Sequence, residues 1–152
     1  MRNVKVIQHS IVIKAPVEHV WQRIFDPQAY RQWTAAFCEG SYYQGEWRQG
    51  ETIRFLDPDG NGMVAHIAEV RPLEFMSISH QGFVYAGRDD LDSEQVTSWA
   101  PAFENFRFLR HGDITELQVE QEVAAEYESF MQQAWPKALE KLKALCESSQ
   151  AL

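Results

Sequence analysis

The apolar positions of this chain change period twice, and those changes divide it into elements. Val4 to Ala15, VKVIQHSIVIKA, is rich in Val and Ile and reads as a strand. A helical period follows. Val17, Val20, Trp21, Ile24 and Phe25 fall at i, i+3, i+4, i+7 and i+8, one apolar stripe opened by Pro16 at the first helical position. Asp26-Pro27 then stops that helix and starts another, with Asp26 able to cap it and Pro27 in its first turn. The second helix, Pro27 to Trp33, carries Tyr30 and Trp33.

From Ser41 the period becomes two. Strands are expected near 41–47, 51–56, 62–70 and 75–80, with turns at Gln49-Gly50, Asp57 to Asn61 and Arg71-Pro72. Residues 82–98 form a long polar connection with the acids Asp89, Asp90, Asp92 and Glu94. Asp92 or Ser93 is placed to cap a short helix leading to Trp99. Two further strands, 104–110 and 115–123, are joined by His111-Gly112-Asp113. The helical period returns for a long helix over 125–148. Its apolar stripe includes Tyr127, Phe130, Met131, Ala134, Trp135, Ala138, Leu139, Leu142, Leu145 and Cys146, and Pro136 predicts a kink. The order strand, two short helices, several antiparallel strands, long helix predicts an α+β domain with helices on one side of the sheet.

The bulk numbers narrow the function. At 152 residues, 45% apolar and 24% charged, the chain can fill a core as one domain, 1–152. Its net charge of -8, with no basic stripe, argues against nucleic acid and against anionic membrane surfaces. No apolar run is long enough for a signal peptide or a membrane span, so the expected compartment is the cytoplasm. Cys38 and Cys146 have no metal-like spacing and read as reduced, inert thiols. No cofactor and no metal is expected.

The chemical candidates are few. DPDGNG, Asp57 to Gly62, begins like a calcium loop, but the twelfth position, where a bidentate Glu is needed, is Ala68, and the composition is that of a tight turn. A turn centred on Arg71-Pro72-Leu73 sets Ile67 opposite Ile78 and Ala65 opposite His80. Ala65, Ile67, Met76, Ile78 and His80 then share the apolar face, and His66 goes to the other. His80 is therefore either a core histidine or a pocket histidine. Glu116, Glu120 and Glu122 alternate with apolar residues and face water. Arg107 and Arg110 read as exposed, with a ligand carboxylate as the alternative partner. The chain holds 9 Phe, 5 Trp and 5 Tyr, and Phe55, Ile78, Phe106, Phe108, Tyr127, Phe130, Met131 and Trp135 are expected to point between sheet and long helix.

In order and spacing these segments resemble the START-like superfamily, also called Bet v 1-like or SRPBCC. IVIKAPVEHVW (11–21) is similar to its opening strand and first helix, DPQAYRQW (26–33) to its second helix, and GMVAHIAEVRPLEFMSISHQG (62–82) to its central hairpin. WAPAFENFRFLRHGDITELQVE (99–120) and AWPKALEKLKAL (134–145) resemble one subgroup, similar to the C-terminal domain of the activator of heat-shock protein 90 ATPase. The resemblance implies a helix-grip fold. In it, an antiparallel sheet of six to seven strands wraps the long C-terminal helix, the two short helices form a supporting V, and a cavity lies between sheet and helix. It places Trp33 and Phe37 near the cavity's mouth or wall, and leaves Trp21 in the core. The candidate lining is Trp33, Phe37, Phe55, Ile78, His80, Trp99, Phe106, Phe108, Tyr127, Phe130, Met131 and Trp135, with the 82–98 connection as a lid. The implied partner is a small hydrophobic or amphipathic molecule, a lipid among them. Two further roles follow from relatives: a polyketide cyclase or aromatase using His80 or Tyr127, and a co-chaperone module binding a heat-shock ATPase.

Overall fold

The computed structural model describes residues 3–148. The first strand is β1 (Val4–Ile13), followed by α1 (Val17–Phe25) and α2 (Pro27–Trp33). Then come β2 (Tyr42–Gly45), β3 (Thr52–Leu56), β4 (Gly62–Arg71), β5 (Phe75–Tyr85), β6 (Arg88–Asp90), a single-turn α3 (Glu94–Thr97), β7 (Ala102–His111) and β8 (Ile114–Ala124). The long helix is α4 (Glu128–Ser148). Seven strands lie in the order β1-β8-β7-β5-β4-β3-β2, all neighbours antiparallel, and β6 pairs with the end of β5. This is the helix-grip α+β architecture, with one strand more than the pattern predicts.

The break between the short helices is a matter of stranded carbonyls. Ending α1 at Phe25 leaves its last carbonyls without helical donors. The Trp33 indole N–H donates to the Ile24 carbonyl (3.1 Å) and the Tyr43 hydroxyl donates to the Phe25 carbonyl (2.7 Å). The Asp26 carboxylate accepts from the Ala29 N–H (3.0 Å), capping α2. Two of the aromatic residues that follow the break therefore seal it, and α2 is fixed at an angle to α1.

The central hairpin pairs Ile67 with Ile78 and Ala65 with His80, with irregularities on either side. His66 is exposed. The apolar faces of β1, β5, β7 and β8 meet the helices in one core. Ile7, Ile13, Ile78, Phe106, Leu117 and Val119 on the sheet face Val20, Ile24, Trp135, Leu139 and Leu142 on the helices. Each such side chain contributes about 1.5–3 kcal/mol by leaving water.

Two expectations are corrected. The 82–98 connection is not a loose lid: β5 continues to Tyr85, turns at Ala86-Gly87 (φ 49° and 81°), and returns as β6. Asp89 is bound in a two-point ion pair by Arg54, and Asp90 accepts from the Ser93 N–H (3.0 Å). A left-handed Ala is not a sequence signal for a turn, which is why the hairpin was not visible. Second, α4 starts only at Glu128, after a tighter turn over residues 125–127. Tyr127, in that turn, and Phe130, in the first turn of α4 beside Met131, lie 47% and 53% exposed. Pro136 lies within α4, on its exposed side.

Asp26→Ala removes the cap that fixes the V. The expected loss is about 1 kcal/mol in urea unfolding, while Asp26→Ser keeps most of the stability.

Candidate functional site

The sheet's concave face is covered unevenly. From Ala134 to Cys146, α4 presents a buried stripe to the sheet. Over its first turn only Met131 reaches inward, and it is half-buried. Under that end of the helix, between α2 and the middle of the sheet, lies a cavity of about 330 Å³. That is at the small end of the range for ligand pockets, about 300–1,000 Å³.

Most of its wall is aromatic. Phe25, Tyr30, Trp33, Phe37, Trp47, Phe55, Phe106 and Trp135 line it, with Ile78, Met63 and Met131. Many of these rings meet at steep angles: Phe37 on Trp135 (4.9 Å), Tyr30 on Trp33 (5.5 Å), Phe106 on Trp135 (6.1 Å). Edge-to-face contacts of this kind hold rings in fixed orientations. Cys38 and Ser41 stand on the segment after α2 at the cavity's edge. Cys38 is exposed, whereas Cys146 is buried in the core beyond the cavity, and burial pushes its thiol up to about 12.

Against this wall stands one polar array. His80 on β5, Glu104 on β7 and Gln121 on β8 all point inward. The pairing brings them together: Glu104 lies directly opposite Gln121, and it is opposite Ile78, one inward position from His80. The Trp135 indole N–H donates to Gln121 Oε1 (2.7 Å). Trp is donor-only, so this bond fixes the amide and turns its NH₂ to Glu104 Oε1 (3.5 Å). His80 Nε2 meets the same Glu104 oxygen at 2.8 Å. A carboxylate oxygen only accepts, so Nε2 is the protonated nitrogen. His80 Nδ1 is buried and has no hydrogen-bond partner among the described residues. Burial pushes the Tyr30 phenol well above its ordinary value, and the negative charge of Glu104 adds to this.

Eight of the twelve candidate lining residues meet at this cavity: Trp33, Phe37, Phe55, Ile78, His80, Phe106, Met131 and Trp135. Four do not. Trp99 packs in a separate cluster with Val96, Ala102 and Phe83, because α3 turns it away. Phe108 lies further along β7 against Trp21 (4.9 Å), under α1. Tyr127 and Phe130 are the exposed pair described above. The sequence reading passed over Tyr30, Glu104 and Gln121. A signal existed: Glu104 interrupts the inward series Ala102, Phe106, Phe108, and Gln121 interrupts Leu117, Val119, Val123. An acid and an amide on inward positions of adjacent strands mark a polar spot in an apolar wall.

Other candidates carry no ligand chemistry. Asp57 Oδ1 accepts from the N–H groups of Asp59 (2.8 Å) and Asn61 (3.0 Å), so the DPDGNG segment is a self-bonded turn. Arg110 pairs with Glu18, and Arg107 lies over the Phe75 ring outside the cavity. Among the described residues no three His, Cys, Asp or Glu side chains converge as a metal site. No described helix is long and apolar enough to cross a membrane.

Comparison with known proteins agrees with the architecture. The sequence model of the family described as activator of Hsp90 ATPase homolog 1-like protein matches residues 14–147. No curated protein matches the chain. Among solved structures, MLL2253 from Mesorhizobium loti superposes with a TM-score of 0.75 at 16% identity, over 95% of this chain and 98% of that one. The protein titled the Aha1 dimer from Colwellia psychrerythraea gives 0.71 at 18%, over 94% and 96%. CalU16 from Micromonospora echinospora gives 0.62 at 22%, over 93% and 74%. At these identities the likeness is one of fold.

Replacing both members of a buried hydrogen-bonded pair by apolar residues of the same volume can be nearly neutral, but removing one leaves its partner unsatisfied. Glu104→Leu is therefore expected to cost roughly 1–3 kcal/mol in urea unfolding. Adding His80→Leu should recover most of that loss. A double variant that loses the sum of both single losses would mean that the pair is not coupled.

Proposed function

The chain belongs to the activator of Hsp90 ATPase homolog 1-like family, and from that premise we propose that it is a single helix-grip domain whose cavity binds a small hydrophobic or amphipathic molecule. The domain would span 1–152, of which residues 1–2 and 149–152 lie outside the described residues. The observation that supports this reading is a largely apolar wall, rich in aromatic rings, around about 330 Å³ of space, with the hydrogen-bonded array of His80, Glu104, Gln121 and Trp135 on one side. Ligand pockets combine these two features: apolar area supplies affinity and a few fixed polar atoms supply orientation. The residues proposed to touch the ligand are Trp33, Phe37, Phe55, Ile78, His80, Phe106, Met131 and Trp135, joined by Tyr30.

The pairing of His80 with Glu104 supports a second reading, an enzyme of the polyketide cyclase type. A histidine whose Nε2–H is held by a carboxylate has Nδ1 as its basic nitrogen, and this reading requires the ring to move, because Nδ1 is buried in the structure. Tyr127, the other residue this reading began from, is exposed outside the cavity. A co-chaperone role, with a heat-shock ATPase as protein partner, has the family description as its support.

Native mass spectrometry of the protein as purified, with extraction of whatever leaves on denaturation, tests the first reading. The expected result is a stoichiometric adduct that is absent from an Ile78→Trp variant, in which the indole fills the cavity. A bare chain mass, together with no thermal stabilisation across a panel of hydrophobic compounds, would overturn it. If the extracted molecule changes chemically on incubation with the protein and His80→Asn stops the change, the enzyme reading replaces it.

A further inference from the structure

The wall of the cavity carries charge of one sign. Glu104 and Asp57 are acids that line it, and none of its described lining residues is Lys or Arg. His80 brings no cation either. Its bonding places a proton on Nε2, and a second proton on Nδ1 would be a buried donor with no acceptor among the described residues.

Glu104 is also a polar group that a ligand can reach. It stands at an inward position of β7, it lines the cavity, and 14% of its side chain remains exposed. Only half of its carboxylate is used. Oε1 accepts from His80 Nε2 (2.8 Å) and faces the Gln121 amide (3.5 Å). Oε2 accepts from none of the described residues and, unlike His80 Nδ1, is not sealed off. A carboxylate oxygen only accepts, so the ligand atom that meets it must donate. An acid anion has no such donor, while an alcohol and an ammonium both do. Two features favour the ammonium. Its charge is attracted to the carboxylate across an apolar space, where that attraction is stronger than in bulk water. Aromatic rings also present electronegative faces to a cation, and eight Phe, Tyr and Trp residues line this space. Leaving water is costly for any ion, and only a cation finds its counter-charge here.

We infer that, if the cavity is the binding site proposed above, its ligand is an organic cation, an apolar ring-bearing body with a protonated amine that pairs with Glu104 Oε2. His80 and Gln121 are positioning residues. They hold Oε1, with Gln121 itself fixed by the Trp135 indole (2.7 Å), and so leave Oε2 to the ligand.

Equilibrium dialysis of the full chain at pH 7.5 against four probes with one ring system separates the possibilities. They are 2-naphthylmethylamine, which is protonated at that pH, 2-naphthylmethanol, 2-methylnaphthalene and 2-naphthoate. The amine should bind tightest, by about tenfold over 2-methylnaphthalene, the scale of one hydrogen bond to a charged group, with the alcohol between them and 2-naphthoate weakest. In the unaltered protein 2-methylnaphthalene should displace the bound amine. Glu104→Gln keeps the shape and an acceptor for His80 but removes the charge. It should cancel the advantage of the amine over the alcohol and leave 2-methylnaphthalene binding unchanged, which shows at once that the variant is folded. An amine no tighter than the alcohol, or 2-naphthoate binding tightest, overturns the cation assignment and leaves the cavity reading standing. An amine that 2-methylnaphthalene does not displace, or whose advantage survives Glu104→Gln, is held by the acidic surface of a chain of net charge -8, and the role of Glu104 falls. Binding of none of the four overturns the inference and the cavity reading together.

Discussion

The structure depends on how one curved sheet face is covered. An antiparallel sheet with an apolar concave side must be packed against something, and here α4 does this along only part of its length. Ala134, Trp135, Ala138, Leu142 and Cys146 seat the C-terminal part of the helix. At the other end Met131 lines the cavity, and Phe37, on the segment after α2, meets Trp135 where the seated part begins. The V of α1 and α2 is what puts Phe37 there. Its break leaves the Ile24 and Phe25 carbonyls stranded, and Trp33 and Tyr43 take them up. A hydrogen-bonding requirement of the backbone thus fixes the position of the cavity wall.

Within that wall the array of His80, Glu104, Gln121 and Trp135 has a different standing. Its bonds are directional and each fixes the next: a donor-only indole sets the amide, the amide faces the carboxylate, and the carboxylate holds one imidazole nitrogen. Such a network adds little net stability over apolar residues. It does set the orientation of one ring beside an apolar space. That is the form expected of a site whose specificity comes from one polar contact and whose affinity comes from area.

Much of this was legible in the sequence, for identifiable reasons. The hairpin from Gly62 to Tyr85 was anchored by its turn, so the pairing of Ala65 with His80 and the outward face of His66 followed from alternation. The helical stripe gave Trp135, Leu139 and Leu142 as core. What failed was phase and punctuation. A tight turn over 125–127 keeps Tyr127 off the stripe of α4, and Phe130 lies at the exposed edge of that stripe. The Ala86-Gly87 turn hid a strand inside a polar run. Trp99 was drawn to the cavity by its size alone, while α3 had already turned it towards Phe83. Glu104 and Gln121 were visible as polar residues at inward positions. Each stands alone among apolar neighbours on its strand, unlike the clusters of acids that water-facing strands show.

The central claim is that the space under the first turn of α4 is open in the folded protein and not closed by its own side chains. A crystal structure under xenon pressure tests this most directly, because apolar cavities of this size take up xenon without needing a polar match. The account predicts xenon density among Phe55, Ile78, Met131 and Trp135, with those side chains unmoved. Density absent there, with Met131 and Phe37 packed down onto Ile78, would contradict it.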